Sequence, residues 1–126
     1  MSRSQIELLL KELYASRVRG DLEAACRLFS HEAKFAIASS GTGVPVAVET
    51  KGIVELRPLL RLLIRAFRVT DLAINALLVD GHRAAIHWQA TIHSKITGSK
   101  VPTEFVDLVE VRDGQIASFR EFFVSH

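Results

Sequence analysis

Two Asp-Gly dipeptides in the C-terminal half, at residues 80–81 and 113–114, constrain the fold more than any other feature of the sequence. Asp-Gly between two alternating segments is a strong signal for a tight β-hairpin turn, because the turn needs residues that tolerate positive φ. Residues 97–99 (Thr-Gly-Ser) predict a third turn. The segments of alternating polar and apolar residues that flank these turns are 72–79, about 83–96, about 100–111 and 115–124. The C-terminal half is therefore predicted to be an antiparallel meander of four long strands.

The N-terminal half shows helical spacing instead. Ser4 followed by Glu7 predicts a capping box, and apolar residues then recur with a helical period as far as Tyr14. Gly20 suits the end of this helix, and Asp21 can cap a second one. A third helix is predicted from an apolar stripe made of Leu56, Leu59, Leu60, Leu63 and Phe67.

Two short strands are predicted between the second and third helices. Alternation around Phe35 and Ile37, and again over residues 44–48, is interrupted by residues 39–43, which include two glycines. Pro45 cannot donate a hydrogen bond to a neighbouring strand, so its strand is predicted to lie at a sheet edge.

Length and composition fit one globular domain over residues 1–126. Of the 126 residues, 48% are hydrophobic and 24% are charged, which is enough to bury a core without a metal or a disulfide. Cys26 is the only cysteine, so no intrachain disulfide can form and a cytoplasmic location is expected. No run of about 18 apolar residues is present, and no membrane partner is expected.

Both faces of the last two predicted strands carry large apolar side chains. Within residues 104–111, Phe105 and Val109 lie on one face, whereas Val106 and Leu108 lie on the other. A one-sided antiparallel sheet keeps polar residues on its solvent face. One face must cover the helices, and the other would expose apolar side chains unless a second copy covered it. A homodimer formed through the sheet is therefore expected.

Three segments of the sequence resemble one known superfamily. Residues 104–123 combine a hydrophobic strand, Asp-Gly-Gln-Ile and an aromatic-rich closing strand. Residues 19–24 (Arg-Gly-Asp-Leu-Glu-Ala) and 29–33 (Phe-Ser-His-Glu-Ala) match its first helix-helix turn and its approach to the first strand. The chain thus resembles the ketosteroid isomerases and SnoaL-like polyketide cyclases of the nuclear transport factor 2-like group. The resemblance implies a cystatin-like α+β cone, in which a curled mixed or antiparallel sheet wraps around three N-terminal helices and leaves a deep apolar pocket.

The resemblance also implies roles for particular positions. Asp107 falls where the isomerases place the aspartic acid of their oxyanion hole. Their base falls on Ile37, and their pocket tyrosine falls on Leu13, one residue before Tyr14. Because Ile37 can neither take nor give a proton, no steroid isomerase activity is expected. Glu121 falls where the polyketide cyclases place an acid/base residue.

A polar cluster at the base of the implied pocket supplies the candidate catalytic residues, Asp107, Glu121 and His87. Burial would raise the pKa of a carboxylate toward neutrality, and an imidazole nearby could hold or pass a proton. A one-residue bulge would turn Trp88 inward instead of His87, because a register shift exchanges the two faces of a strand. The expected ligand contacts are Tyr14, Phe35, Ile37, Gln89, Phe105, Phe119 and Phe123.

Two functions remain open from the sequence. One is an isomerase, a cyclase or a hydrolase that acts by acid/base catalysis on a hydrophobic, oxygen-bearing small molecule without a cofactor or a metal. The alternative is a non-catalytic ligand-binding or dimerisation module of the same fold. The arginines of the third helix, Arg57, Arg61, Arg65 and Arg68, are interpreted as a solvated face, and no nucleic-acid partner is expected.

Overall fold

The computed structural model describes residues 1–39 and 46–126. Three helices and six strands follow one another in the order α, α, β, β, α, β, β, β, β. Their bounds are α1 Arg3–Arg19, α2 Leu22–Arg27, β1 Phe29–Ser39, β2 Val46–Lys51, α3 Ile53–Ala66, β3 Phe67–Asp80, β4 Arg83–Ser94, β5 Lys100–Arg112 and β6 Gln115–Ser125. No helix among the described residues is long and apolar enough to cross a membrane.

The ends of α1 and α2 are set by local side-chain and backbone bonds. The Ser2 hydroxyl accepts a bond from the Gln5 amide at 3.2 Å, and the Gln5 side chain accepts one from the Ser2 amide at 2.8 Å. The capping box therefore uses Ser2 and Gln5, and its prediction at Ser4 was wrong, because the earlier pair has the same Ser-x-x-Gln/Glu pattern and extends the helix by a further half turn. Gly20 (φ 70°) ends α1 in the left-handed conformation, as expected.

All six strands form one mixed sheet in the order β2-β1-β6-β5-β4-β3. Neighbouring strands are antiparallel except β1 and β6, which are parallel. The predicted α+β architecture is confirmed, and so is the edge position of β2. Most of the turn predicted over residues 39–43, and Pro45 itself, lie outside the described residues.

Irregularities in the strands bend the sheet. The register of β3 against β4 shifts twice, between residues 70 and 73 and between 74 and 76, and Asp71 adopts a positive φ of 55° within that stretch. In the pairing of β5 with β6, Glu110 pairs with Ser118 but Val111 pairs with Ile116, which leaves one residue of β6 unpaired. Bulges of this kind increase twist and curvature. This extra residue also explains why Ile116 and Phe119 are both buried although strict alternation predicted opposite faces.

The core lies between the helices and the concave face of the sheet. On β4 the alternate residues Ala84, Ile86, Trp88 and Ala90 are buried. Phe29, Phe35 and Phe119 form an aromatic cluster whose ring centroids lie 5.4–6.1 Å apart. The opposite, convex face leaves Val106, Leu108, Phe122 and Val124 about 40–50% exposed. Phe67, which was predicted on the third helix, is the first residue of β3.

Candidate functional site

An apolar cavity of about 400 Å³ lies between α3 and the concave face of the sheet. Its volume falls within the range of small-molecule pockets. Ile37, Leu59, Leu63, Phe105 and Phe123 form much of its apolar wall. Two charged residues, Arg17 and Glu121, also line it, so a ligand in this cavity would meet hydrocarbon on most sides and one ionic pair.

The two charged residues form a fork-shaped ion pair. Nη1 of Arg17 donates to Oε2 of Glu121 at 2.7 Å, and Nη2 donates to Oε1 at 3.1 Å. The side chains are only 17% and 3% exposed, respectively. Burial would lower the pKa of Arg17, but the charge of Glu121 and its hydrogen bonds raise it overall. This geometry fixes the Glu121 carboxylate at the cavity wall.

Asp107 lies beside Glu121 in the neighbouring strand, because the two residues are direct partners in the β5–β6 register. The Asp107 side chain is completely buried. Its Oδ2 atom accepts two hydrogen bonds, from the Tyr14 hydroxyl and from Nε1 of Trp88, both at 2.6 Å. No donor among the described residues reaches its Oδ1 atom. One oxygen of the carboxyl is therefore saturated and the other has no donor.

This environment favours a protonated Asp107. Burial raises the pKa of Asp107 well above its usual value, and the charge and hydrogen bonding of Glu121 raise it further, whereas Arg17 and the Tyr14 bond act in the opposite direction. The proton belongs on Oδ1, because Oδ2 already accepts two bonds. The neutral Asp107 then lies directly beside Glu121 in the sheet, and we call the two carboxyl groups the dyad.

The last two turns of α1 bring the partners of this dyad together. Tyr14 and Arg17 are three residues apart and so project from one face of the helix. Trp88 lies between them: its ring centroid is 5.2 Å from that of Tyr14 and 5.3 Å from the guanidinium carbon of Arg17. The indole also stacks on Phe105 at 3.8 Å. These contacts hold both donors of Asp107 and the partner of Glu121 in place.

The raised pKa of Asp107 predicts a particular pH dependence of stability. An unfolded aspartate releases its proton near pH 3.9, whereas the folded protein retains that of Asp107 to higher pH. The folded state then binds more protons, so the free energy of unfolding falls as pH rises from about 4 through the folded pKa. Asp107→Asn mimics the neutral acid and should remove this decline. Urea unfolding from about pH 4 to pH 9 measures it.

Asp113→Asn is the matched control for that measurement, because Asp113 lies in the exposed β5–β6 turn with φ 53°, which asparagine tolerates. It should follow the wild-type pH profile. A parallel profile for Asp107→Asn and wild type would show that Asp107 is ionised in the fold.

Other predicted site residues divide between the cavity, the core and the outer face. Ile37, Phe105 and Phe123 line the cavity. Tyr14 bonds to Asp107 behind the cavity wall. Phe35 and Phe119 belong to the closed aromatic cluster and are not in the cavity wall.

His87 and Gln89 are corrections to the predicted site. His87 lies on the convex face, where its Nε2 contacts Glu104, and Gln89 is exposed beside Asn75. The β4–β5 register runs without a shift from Arg83 to His93. Burying Ile86 and Trp88 therefore turns the intervening residues outward. Trp88, not His87, completes the cluster with Asp107 and Glu121.

Arg17, which lines the cavity and bonds to Glu121, is a candidate site residue that was not expected from the sequence. It lies in the last turn of α1, where a basic residue interacts favourably with the helix C-terminus. A different signal was present, because it follows Leu10, Leu13 and Tyr14 on the buried face of α1 at helical spacing. No group of three ligand-type side chains among residues 1–39 and 46–126 is arranged to hold a metal ion.

Comparison with known proteins places the chain in a recognised group. A family model described as a SnoaL-like domain matches residues 10–119. A search of curated proteins finds no match.

Solved structures share the fold. A candidate isomerase from Bacillus subtilis superposes with a TM-score of 0.83 at 15% identity, covering 96% of this chain and 87% of that one. An LEH-like epoxide hydrolase from M. tuberculosis gives 0.74 at 14% identity, covering 96% and 84%. An NTF2-like protein from Burkholderia xenovorans gives 0.75 at 20% identity, covering 98% and 92%. At these identities the likeness establishes the fold alone.

Proposed function

Because the chain belongs to the SnoaL-like domain family, we propose that it is an acid/base enzyme whose Glu121 exchanges a proton with a hydrophobic, oxygen-bearing molecule in the cavity. The observation that carries the proposal is that Glu121 lines an apolar cavity and the buried Asp107 lies directly beside it in the sheet. A structural ion pair needs only one carboxylate for Arg17. A second, buried carboxyl with an elevated pKa can hold a proton beside the base, which acid/base catalysis requires.

The two carboxyl groups have different roles in this proposal. Glu121 lines the cavity and is the group that a ligand can touch. It removes a proton from carbon next to a carbonyl, or from a water molecule that attacks the ligand, and returns a proton later in the cycle. Asp107 acts through Glu121: it holds the proton of the dyad and lowers the cost of having a charged base in an apolar wall.

Two structural neighbours support this class of chemistry without deciding the reaction. One is an LEH-like epoxide hydrolase and another is a candidate isomerase. Steroid isomerisation in the usual manner is not expected, because Ile37, the cross-strand partner of Glu121 on β1, supplies no base.

Two probes separate the reaction types. The ketone 1-decalone in D₂O reports proton transfer next to a carbonyl through loss of its α-proton NMR signals. Styrene oxide reports hydrolysis through formation of the diol. The proposal predicts an enzyme-dependent rate with at least one of them. Saturable binding of both compounds without any enzyme-dependent rate would contradict it.

A non-catalytic binding module is the second candidate, and a specific observation favours it. Both oxygens of Glu121 are already bound by Arg17, so the carboxylate is satisfied without a ligand. In such a module the ion pair only closes the end of the pocket. Binding without turnover in the two assays above would select this function.

We also propose that the convex face of the sheet forms a homodimer interface. Val106 and Phe122 are direct cross-strand partners at its centre, and they are 40% and 39% exposed. Leu108 and Val124 extend the same apolar surface. A contiguous exposed apolar patch of this kind marks an association surface.

Replacing both central residues tests the interface. Val106→Glu with Phe122→Glu should convert a dimer into a monomer at micromolar concentration in sedimentation velocity, because two buried charges per subunit would lack partners. Leu62→Glu on α3, where Leu62 is 62% exposed, is the control and should stay dimeric. A monomeric wild type at tens of micromolar would contradict the proposal.

A further inference from the structure

One end of the cavity is marked by exposed wall residues. Phe67 is 41% exposed, and Ser99 and Ser125 are also exposed, although all three line the cavity. They lie at the start of β3, in the β4–β5 hairpin and at the end of β6. Ser94 connects the first two, since it pairs with Phe67 and its amide bonds to the Ser99 carbonyl at 2.9 Å. The cavity therefore opens at this end of the sheet.

Basic side chains lie at the same end of the sheet as the opening. Arg68 and Lys100 follow Phe67 and Ser99 in the chain, and the strand register places them in one row on either side of His93, on the strand face opposite the cavity-lining Phe67, Ser94 and Val101. Lys95 lies at the same end, because its Nζ donates to the Ile64 carbonyl at 3.1 Å. Arg65 occupies the last turn of α3. All four basic residues are exposed.

Acidic side chains are missing from the two stretches that build this end. Neither residues 56–70 nor residues 81–103 contain an aspartate or a glutamate. The nearest acidic residues along the chain to Arg68 and Lys100 are Asp71 and Glu104, three and four residues away, and the net charge over the whole protein is +2. A positive surface of this kind complements an anionic one.

Apolar side chains project from the same surface. Ile96 is 84% exposed in the β4–β5 hairpin, and the Lys95 amide ties that hairpin to the Ala66 carbonyl at 2.8 Å. Ile96 is thereby held near Phe67 at the cavity opening. We call this surface, made of Arg65, Phe67, Arg68, Lys95, Ile96 and Lys100, the mouth patch.

We propose that the mouth patch docks on the surface of an anionic lipid bilayer, so that the hydrophobic ligand enters the cavity from the membrane. Basic residues attract the anionic headgroups, and exposed apolar residues enter the boundary of the hydrocarbon region. The chemical nature of the ligand rests on the proposed function, whereas the docking on the bilayer does not. No membrane partner was expected from the sequence because it contains no stretch of about 18 apolar residues, a criterion that does not bear on peripheral contact.

The apolar part of the patch selects a bilayer over a nucleic acid. A phosphate backbone would satisfy the arginines and lysines but would leave Ile96 and Phe67 without an apolar partner. A bilayer satisfies both kinds of side chain at once. A docked bilayer also places hydrocarbon, the solvent in which a hydrophobic ligand is dissolved, at the opening of the cavity.

Vesicle co-sedimentation without added ligand tests the docking. Wild type should sediment with phosphatidylcholine vesicles that contain about 30% phosphatidylglycerol, should remain in solution with pure phosphatidylcholine, and should be released by salt. Each basic residue near an anionic surface changes partitioning about fivefold. Lys95→Gln with Lys100→Gln should therefore weaken binding about thirtyfold. Ile96→Ser should weaken it without changing net charge.

Arg83→Gln with Arg112→Gln is the matched control. It removes the same charge from the opposite ends of β4 and β5, about 35 Å away along β4 at the usual rise per residue, and should bind vesicles as wild type does. Equal loss in the control, equal binding to neutral vesicles, or patch-dependent retention on DNA would each overturn the inference. Vesicle binding and turnover are measured separately, so loss of either one contradicts only the proposal that predicts it.

Discussion

Glu121→Gln is expected to lower turnover of whichever probe the enzyme accepts by a factor of roughly 10²–10⁴, the usual contribution of a positioned acid or base. The amide keeps the size of the side chain and can still accept one bond from Arg17. It cannot take a proton, so the step assigned to Glu121 is lost while the apolar wall stays unchanged. Initial rates with 1-decalone or styrene oxide measure the effect, with circular dichroism as the check on folding.

Two further variants make this result interpretable. Glu110→Gln changes an exposed carboxylate on the opposite face of β5 and should retain the wild-type rate. Arg17→Met with Glu121→Leu removes the carboxylate without leaving a buried charge, so it tests the same step if Glu121→Gln is too unstable. Retention of more than about a tenth of the rate in the folded Glu121 variants would exclude Glu121 as the base.

Arg17→Met alone is expected to destabilise the fold by about 3–5 kcal/mol. The Glu121 side chain is 3% exposed, and its carboxylate would lose both hydrogen bonds and its countercharge. A buried carboxylate without a partner must remain charged in an apolar wall or take up a proton, and both cost free energy. Urea unfolding at pH 7 measures the loss.

The double variant separates this effect from the loss of packing. Arg17→Met with Glu121→Leu should recover most of the lost stability, because replacing both partners of a buried ion pair with apolar groups is often neutral or favourable. Arg19→Met on the same helix is the control: its ion pairs with Glu12 and Asp21 are about half exposed, so it should cost less than about 1 kcal/mol. Equal losses for Arg17→Met and Arg19→Met would show that the buried pair is not structurally important.

The sheet could be predicted from the sequence because its signals are local. Asp-Gly dipeptides demand positive φ, and Asp113 and Gly114 do adopt it. Alternating polarity then fixes which residues pair. The same local logic placed the ends of α1 and α2 within two residues, since Gly20 and Asp21 each act on their own helix end.

The site was predictable only in part, because its contacts join distant parts of the chain. The resemblance, counted from one hairpin turn, indicated Asp107 and Glu121, and both side chains are buried. Arg17 could not be placed, because its partner lies 104 residues away and helix spacing alone does not say which strand a side chain meets. His87 was expected to face inward, with Trp88 as the alternative; counting from the Asp80–Gly81 turn gave the wrong face, and the burial of Trp88 decides it.

Carbon-detected NMR of the aspartate side-chain carboxyls tests directly whether Asp107 keeps its proton beside Glu121. In protein labelled at aspartate Cγ, the Asp107 resonance, assigned by its loss in Asp107→Asn, should stay at the protonated position while the exposed aspartates titrate, because the pKa of Asp107 is raised well above its usual value. A resonance that titrates near pH 3.9, together with the exposed groups, would contradict the account.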